Sequence, residues 1–249
     1  MFRENHFTGK KTNDGKSPLE DAFFSREVRE VDRGLKHYLA MFDLQVDDLK
    51  GRRILDIGAG SANFSKDAKK EGIDVTAIDP LYKYKEGRNL IKDYKYVEEN
   101  RLEKFHRVLS MLSRKKGFLP NAVAALGEQL PFRDESFDMV CSIYSSFHYA
   151  TTPEIIYRNF EEQLRVLTKG GSLYTFPVRK SKQGNLILCL DQDFVRDKDT
   201  VRAAFESELQ RRQDDEQISV SIGDPRFNEL MFDMPYGSQV ESYVHIRKN

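Results

Sequence analysis

The chain has no tryptophan, two cysteines and no excess of charge: 40 Lys and Arg balance 40 Asp and Glu over 249 residues. A net charge of zero argues against a dedicated nucleic-acid binder. Cys141 and Cys189 lie in separate apolar runs and form no metal-binding spacing. They therefore read as reduced core thiols of a cytoplasmic protein and exclude a disulfide framework. No apolar run approaches the roughly 18 residues that suggest a membrane span. The first residues, MFRENHFTGKK, lack the apolar core of a signal peptide. There is no internal repeat. What remains is a length suited to one α/β domain with additions, 39% hydrophobic and 32% charged, with a heavily charged surface.

The informative segment is Ile54–Phe64, ILDIGAGSANF. It reads as a short buried strand, a glycine turn and a helix start, an arrangement expected to bring bare backbone N–H groups against a ligand. Gly58 and Gly60 allow close approach because neither carries a Cβ. Asp56, two residues before Gly58, would repel a pyrophosphate and suits a ligand with positive charge. The dinucleotide fingerprint needs a third glycine where Asn63 stands. The next strand, IDVTAID over residues 73–79, ends in Asp79, about 20 residues beyond the loop as a ribose-binding acid should. A carboxylate there can accept bonds from both hydroxyls of a ribose. Alternatively, Asp79 is a helix-capping or turn aspartate helped by Pro80.

Asp56-x-Gly58-x-Gly60 after an apolar strand resembles motif I of the class I S-adenosylmethionine (SAM)-dependent methyltransferases. GEQLPFRDESFD at 127–138 resembles the L-P-F…F-D segment of their type 11 group, and VLTKGGSL at 166–173 its V-L-K-P-G-G, with Lys169 where Pro is common. With Asp79, four signals fall in order over residues 52–178, about half the chain. They do not reach the first 50 residues and thin out after Arg179. The resemblance implies SAM as cofactor, held by Asp56, Gly58, Ala59, Gly60, Asn63, Asp79, Pro80, Gly127, Glu128, Ile143 and Tyr144. The aspartate that often reads the adenine amino group in this group is replaced by Leu126. Adenine then depends on the backbone near Gly127 and Glu128 and on apolar walls. The group's Leu-His-His-like segment falls on Tyr144–Tyr149, with His148 as the implied proton acceptor and Tyr144 at the methionine end. Alternatively, His148 caps the next helix or bonds the backbone.

The implied fold is α/β and Rossmann-like. Its seven-stranded, mostly parallel sheet has an antiparallel last strand and is flanked by helices. Residues 1–50 form a tail and cover helix, and 51–249 the methyltransferase domain with an insertion at about 82–118. A capped helix is expected from Ser17 to Phe42, with Val28, Val31, Leu35, Tyr38 and Phe42 on one stripe. Phe23, Phe24 and Arg26 would close over the cofactor, Arg26 on its carboxylate; a plain amphipathic helix packed on the sheet is the alternative. Residues 83–116 hold eleven Lys/Arg and five Asp/Glu, a local +6, with a helix expected around 98–115.

Strands are expected near Asn121–Leu126, Phe137–Ile143 and Ser172–Val178. A final hairpin follows from Ile218–Ile222 and Val240–Arg247. Gly170-Gly171 should end the preceding helix. The apolar loop 224–239 suggests a lid or a partner interface. These readings favour methyl transfer to an O or N atom of a small molecule, anionic or aromatic, by a monomer or homodimer with no metal. An RNA or protein methyltransferase using the +6 insertion and a non-catalytic SAM-binding protein stay open. An NAD(P) oxidoreductase is contradicted by Asp56, Asn63 and the terminal hairpin.

Overall fold

The computed structural model describes residues 33–60, 62–83, 121–180, 186–190, 195–226 and 241–249. The expectations for residues 17–32, for the helix at 98–115 and for most of the 224–239 loop fall outside them.

The strands are β1 (Arg53–Ile57), β2 (Asp74–Ile78), β3 (Ala122–Val123), β4 (Phe137–Ile143), β5 (Leu167–Lys180), β6 (Leu186–Leu188), β7 (Ile218–Gly223) and β8 (Glu241–Lys248). The helices are α1 (Leu35–Met41), α2 (Val46–Leu49), α3 (Asn63–Lys70), α4 (Pro153–Val166) and α5 (Lys198–Asp214). The strands run in the order β3-β2-β1-β4-β5-β8-β7, with β6 paired to β5 off this path. β1 to β5 are mutually parallel, whereas β8 is antiparallel to both β5 and β7. The sheet is thus the expected seven-strand path plus one short strand that sequence did not reveal. After β1 the chain builds outward through β2 and β3, then returns to β4 on the other side of β1. That reversal opens a crevice beyond the carboxyl ends of β1 and β4.

The central strands carry near-continuous apolar runs because both their faces are covered. Leu55, Ile57 and Val140 join Phe147, Phe160 and Phe205 under α4 and α5. Ile54, Met139, Cys141 and Ile143 join Leu35, Tyr38, Phe42 and Phe64 under α1 and α3. Asp56 alternates onto the second face and points at α1. Thr152 caps α4 through the Ile155 N–H, with Pro153 in the first turn, as the sequence suggests.

Three boundaries differ from expectation. The helix expected from Ser17 to Phe42 does not run through Arg33 and Gly34: Gly34 is extended, at ψ -177, and caps a new helix start, so α1 covers only Leu35–Met41. α4 stops at Val166, not at Gly170-Gly171, because Leu167 turns extended and already pairs with Phe137. Gly170, at φ 73, instead lies within β5, beside the register shift between Phe137 and Met139. The third strand shrinks to two residues, since the chain dives inward at Ala125 and Gly127 and closes a bridge between Leu126 and Gln129.

Candidate functional site

The glycine turn is held by the protein itself. Gly58 and Ala59 both donate their N–H to the Ile78 carbonyl, at 2.9 and 3.0 Å. Gly60 donates to Oδ2 of Asp79 at 3.2 Å. These N–H groups are therefore not bare, which corrects the expectation from sequence: Gly58, Ala59 and Gly60 offer no anion cradle of the phosphate-binding kind. Gly58 has φ 69 and Gly60 φ 52, the left-handed region where glycine is at home. A Cβ on Gly58 would run into the side chain of Ser145 in the turn after β4. The close approach that Gly58 permits is thus made by the neighbouring turn. Ala62 is also left-handed, at φ 54, and passes the chain into α3. Asn63 opens that helix, and its Oδ1 accepts a long 3.4 Å bond from Lys66.

Asp56 is fully buried. Its Oδ1 accepts a 2.6 Å bond from the hydroxyl of Tyr38 on α1. Its Oδ2 has no hydrogen-bond partner among the described residues. Burial pushes the carboxyl up to about 7; the Tyr38 bond and the Arg33 charge pull it down, and the Asp79 charge adds to the rise. A half-satisfied buried carboxylate is costly unless a donor or cation completes it. Tyr38 is held by a stack on Phe64, ring centroids 3.9 Å apart. Arg33, just before α1, reaches the Ile143 carbonyl at 3.4 Å and lies 5.7 Å from the Tyr144 ring centroid.

Asp79 is buried at the end of β2. Pro80 then starts a 3-10 turn, Pro80–Lys83, whose Tyr82 packs beside Ala59, Ala62 and Ala77. The buried Tyr82 hydroxyl has no partner among the described residues. Burial raises its ionisation well above the ordinary range, and the charges of Asp79 and Asp56 add to the rise. Two orphaned polar atoms, Asp56 Oδ2 and Tyr82 Oη, thus accompany Asp79 at the carboxyl ends of β1 and β2.

Gly127 and Glu128 follow β3 along the same rim. A Cβ on Gly127 would press against Asn159, Ser146 and Ile57, so this glycine serves backbone packing. Beneath it runs a buried network. Ser142 and Ser146 share a 3.0 Å bond, and the Gln163 amide donates to Ser146 at 2.9 Å and to Asn159 at 3.0 Å. The Leu130-Pro131-Phe132 turn is fastened by α4. Arg165 donates to the carbonyls of Phe132 and Leu130, at 2.8 and 3.1 Å, and Glu162 accepts the Leu130 N–H at 2.8 Å.

Beyond β4, Ile143 is buried and Tyr144 takes φ 48, an uncommon angle for a bulky residue. Its ring meets His148 and Phe176 edge-on, at 5.3 and 5.2 Å. Nδ1 of His148 lies 2.7 Å from the Cys189 carbonyl, just past β6. A carbonyl only accepts, so Nδ1 carries the proton of this bond.

The structure therefore gathers Asp56, Gly58, Ala59, Gly60, Asp79 and Pro80 around one turn. Ile143, Tyr144 and His148 stand across the crevice, and Gly127 and Glu128 lie on the β3 side. Asn63 faces its own helix. Arg26 lies outside the described residues; among those described, Arg33 is a cation that reaches this rim. Sequence reasoning did not assign Arg33, Tyr38 or Tyr82 to the site. A tyrosine in place of an aliphatic residue on the α1 stripe was the one signal for Tyr38.

Residues 55–175 match the family model of the methyltransferase domain. An uncharacterized methyltransferase of Mycobacterium tuberculosis is 29% identical over 170 residues, covering 65% of this chain and 56% of that protein. A relative of the same description from Mycobacterium bovis gives the same figures. The chain spans about half the length of the curated relatives it matches. Among solved structures, one described under the conversion of a disulfide bond into a thioacetal group during echinomycin biosynthesis has a TM-score of 0.50 at 13% identity and covers 93% of each chain. A SAM-dependent methyltransferase from Methanosarcina mazei has a TM-score of 0.45 at 19% identity, covering 79% of this chain and 92% of that one.

Proposed function

We propose that this chain is a class I SAM-dependent methyltransferase that moves the methyl group of SAM to an O or N atom of a small-molecule acceptor; the match of residues 55–175 to the methyltransferase domain supports this reading. One observation carries the reading. Two buried carboxylates, Asp56 and Asp79, flank a glycine turn whose N–H groups are already used inside the protein. Such a site asks for hydrogen-bond donors and positive charge and repels a pyrophosphate. The donors of a ribose diol and of an α-ammonium group suit it.

In this reading Asp79 accepts the ribose hydroxyls, and the orphaned Oδ2 of Asp56 faces the cationic end. Gly127 and Glu128 border the adenine through their backbone, with Leu126 in place of a reading acid. Ile143 and Tyr144 line the methionine end, and Arg33 supplies the charge for its carboxylate. SAM, when bound, supplies an electrophilic methyl carbon on a sulfonium that leaves as a neutral thioether. The protein's task is then to hold the acceptor atom about 3 Å from that carbon, on axis. His148, whose ring is oriented by the Nδ1 bond to the Cys189 carbonyl, takes the proton of an O–H or N–H acceptor.

Calorimetric titration of SAM, S-adenosylhomocysteine and NAD tests the reading. The first two should bind in the micromolar range and lose that affinity with Asp79→Ala; NAD should not bind. Binding of NAD alone would overturn it. Once an acceptor is found, His148→Ala should abolish turnover and leave S-adenosylhomocysteine binding intact.

A further inference from the structure

Asp56 is the most deeply buried acid of the crevice, and the group that completes it lies outside the glycine loop. Tyr38 belongs to α1, which packs on α3 through the Tyr38–Phe64 stack. The far end of α1 is fastened as well. Arg226 donates its N–H to the Ala40 carbonyl at 2.8 Å, and its guanidinium bonds the carbonyls of Leu39 and Leu44 at 3.1 and 2.7 Å. The Tyr38 hydroxyl is therefore delivered to Asp56 by an element pinned at both ends. It has one acceptor there, Oδ1, at 2.6 Å.

Resting on the SAM reading, we propose that Tyr38 is a positioning residue: by donating to Oδ1 of Asp56, it orients this buried carboxyl and leaves Oδ2 to receive the α-ammonium of the cofactor. The consequence is a pH-dependent grip on the amino-acid half of the ligand and a pH-independent grip on the adenosine half. Among the described residues, five groups face Asp56. Arg33 and Tyr38 approach from the α1 side, Asp79 from the end of β2, Tyr82 from the 3-10 turn and Cys141 from β4. Tyr38 and Arg33 favour the charged carboxylate; Asp79 and burial oppose it. Removing the Tyr38 hydroxyl takes away one of the two favouring groups while leaving the ring stack in place. Protonation of Asp56 then moves to higher pH, and the ammonium loses its anionic partner at neutral pH.

The experiment is calorimetric titration of S-adenosylhomocysteine and of 5′-methylthioadenosine, which lacks the amino-acid end, into the full chain between about pH 6 and pH 8.5. Wild type, Tyr38→Phe and Asp56→Asn are compared. A protonation of Asp56 that blocks the ammonium weakens wild-type affinity for S-adenosylhomocysteine by up to about tenfold per pH unit on the acid side. Tyr38→Phe should move that fall upward by about one pH unit, so that affinity drops about tenfold near neutral pH and recovers to within about twofold at the alkaline end. Asp56→Asn should bind S-adenosylhomocysteine weakly at every pH. Methylthioadenosine should bind all three proteins alike.

A Tyr38→Phe protein that binds S-adenosylhomocysteine like wild type at every pH overturns the inference. So does one that loses affinity equally at both ends of the range, because a merely structural tyrosine gives that result. Thermal melts of the same proteins separate such a loss from unfolding, and Phe64→Leu, which disturbs the stack and keeps the hydroxyl, should show no shift of the pH profile. If wild type binds methylthioadenosine and the profile does not move, this inference fails and the cofactor reading stands. If wild type binds neither ligand, the cofactor reading itself falls.

Discussion

Two aspartates on neighbouring strands divide the molecule into its two ends. Asp138 is the second residue of β4, at the amino ends of the strands. Arg53 of β1 meets it with a forked pair of bonds at 3.1 and 2.9 Å and adds its backbone N–H at 2.9 Å. That partner holds the carboxyl down to about 2. Asp56, near the carboxyl end of β1, is buried with one oxygen unpartnered among the described residues, and burial pushes it up to about 7. The same chemical group is thus satisfied at one end and left in need at the other. A protein keeps a costly, half-paired buried acid where something else completes it, and in the proposed reading the cofactor does so in the crevice at the strand-order reversal.

The largest expected effect tests whether the carboxyl end is the more tightly constrained. Gly58 and Gly170 share a left-handed backbone, φ 69 and φ 73. An alanine at either costs about 1–2 kcal/mol for that backbone alone. At Gly170 the nearest atom to a new Cβ is the tip of Arg247, 3.9 Å away; at Gly58 it is the body of Ser145. Gly58→Ala should therefore destabilise by clearly more than Gly170→Ala in chemical denaturation and abolish S-adenosylhomocysteine binding. Adding Ser145→Gly should recover the steric part. A double variant no more stable than Gly58→Ala would break the comparison.

Next in size is the acid itself. The folded value of Asp56 lies above the unfolded one, so the folded state holds the extra proton between about pH 4 and pH 7. Its contribution to stability is fully present below the unfolded value and is lost as pH rises through about 7. Asp56→Asn removes that loss. Without ligand, the variant should melt several degrees above wild type at alkaline pH and should lose that advantage below about pH 4. The measurement is a pair of melting curves across pH. A constant difference would mean that burial does not titrate this group.

How much of this was legible depends on which force fixes each part. β1, β2, β4, β7 and β8 announce themselves because dense β-branched runs have one low-energy use, a covered sheet. The Thr152-Pro153 start of α4 is equally local. β6 was not visible, since Leu186–Leu188 is too short to show a period and is stabilised by its partner β5. Gly170-Gly171 read as a helix stop because glycine pairs usually are; a pairing of Leu167 with Phe137 ended α4 earlier. That Asp56, Asp79 and the glycines meet at one turn was legible from their spacing. Tyr38 was placed on the correct apolar stripe, but no spacing within that helix tells that its hydroxyl meets a carboxylate 18 positions along the chain. The internal use of the loop's N–H groups was hidden for the same reason: it depends on the register of β1 against β2.

A smaller effect is expected at the Leu130-Pro131-Phe132 turn. Arg165→Met keeps an apolar stem and removes the bonds to two backbone carbonyls, to Glu162 and to Asp134. Hydrogen bonds to charged groups contribute about 1.5–3 kcal/mol each when buried, and this side chain is partly exposed, so a total loss of about 1–3 kcal/mol is expected in urea unfolding. Because the turn borders Gly127 and Glu128, affinity for methylthioadenosine should fall a fewfold. Unchanged affinity would detach this turn from the carboxyl-end site.

The smallest effect belongs to Asp138, and its sign is opposite to that of Asp56. The folded value of Asp138 is depressed, so its stabilisation is present above the unfolded value, near 4, and is lost as pH falls toward about 2. The Arg53 side chain is about half exposed and that of Asp138 about one third, 51% and 31%. Solvent screening therefore holds the contribution to about 1 kcal/mol or less. Asp138→Asn should lower the melting temperature slightly at neutral pH and not at all below about pH 2. S-adenosylhomocysteine should bind the variant with wild-type affinity at every pH. A change in ligand affinity from this end of the sheet would show that the two ends communicate and that the division between a structural and a functional aspartate does not hold.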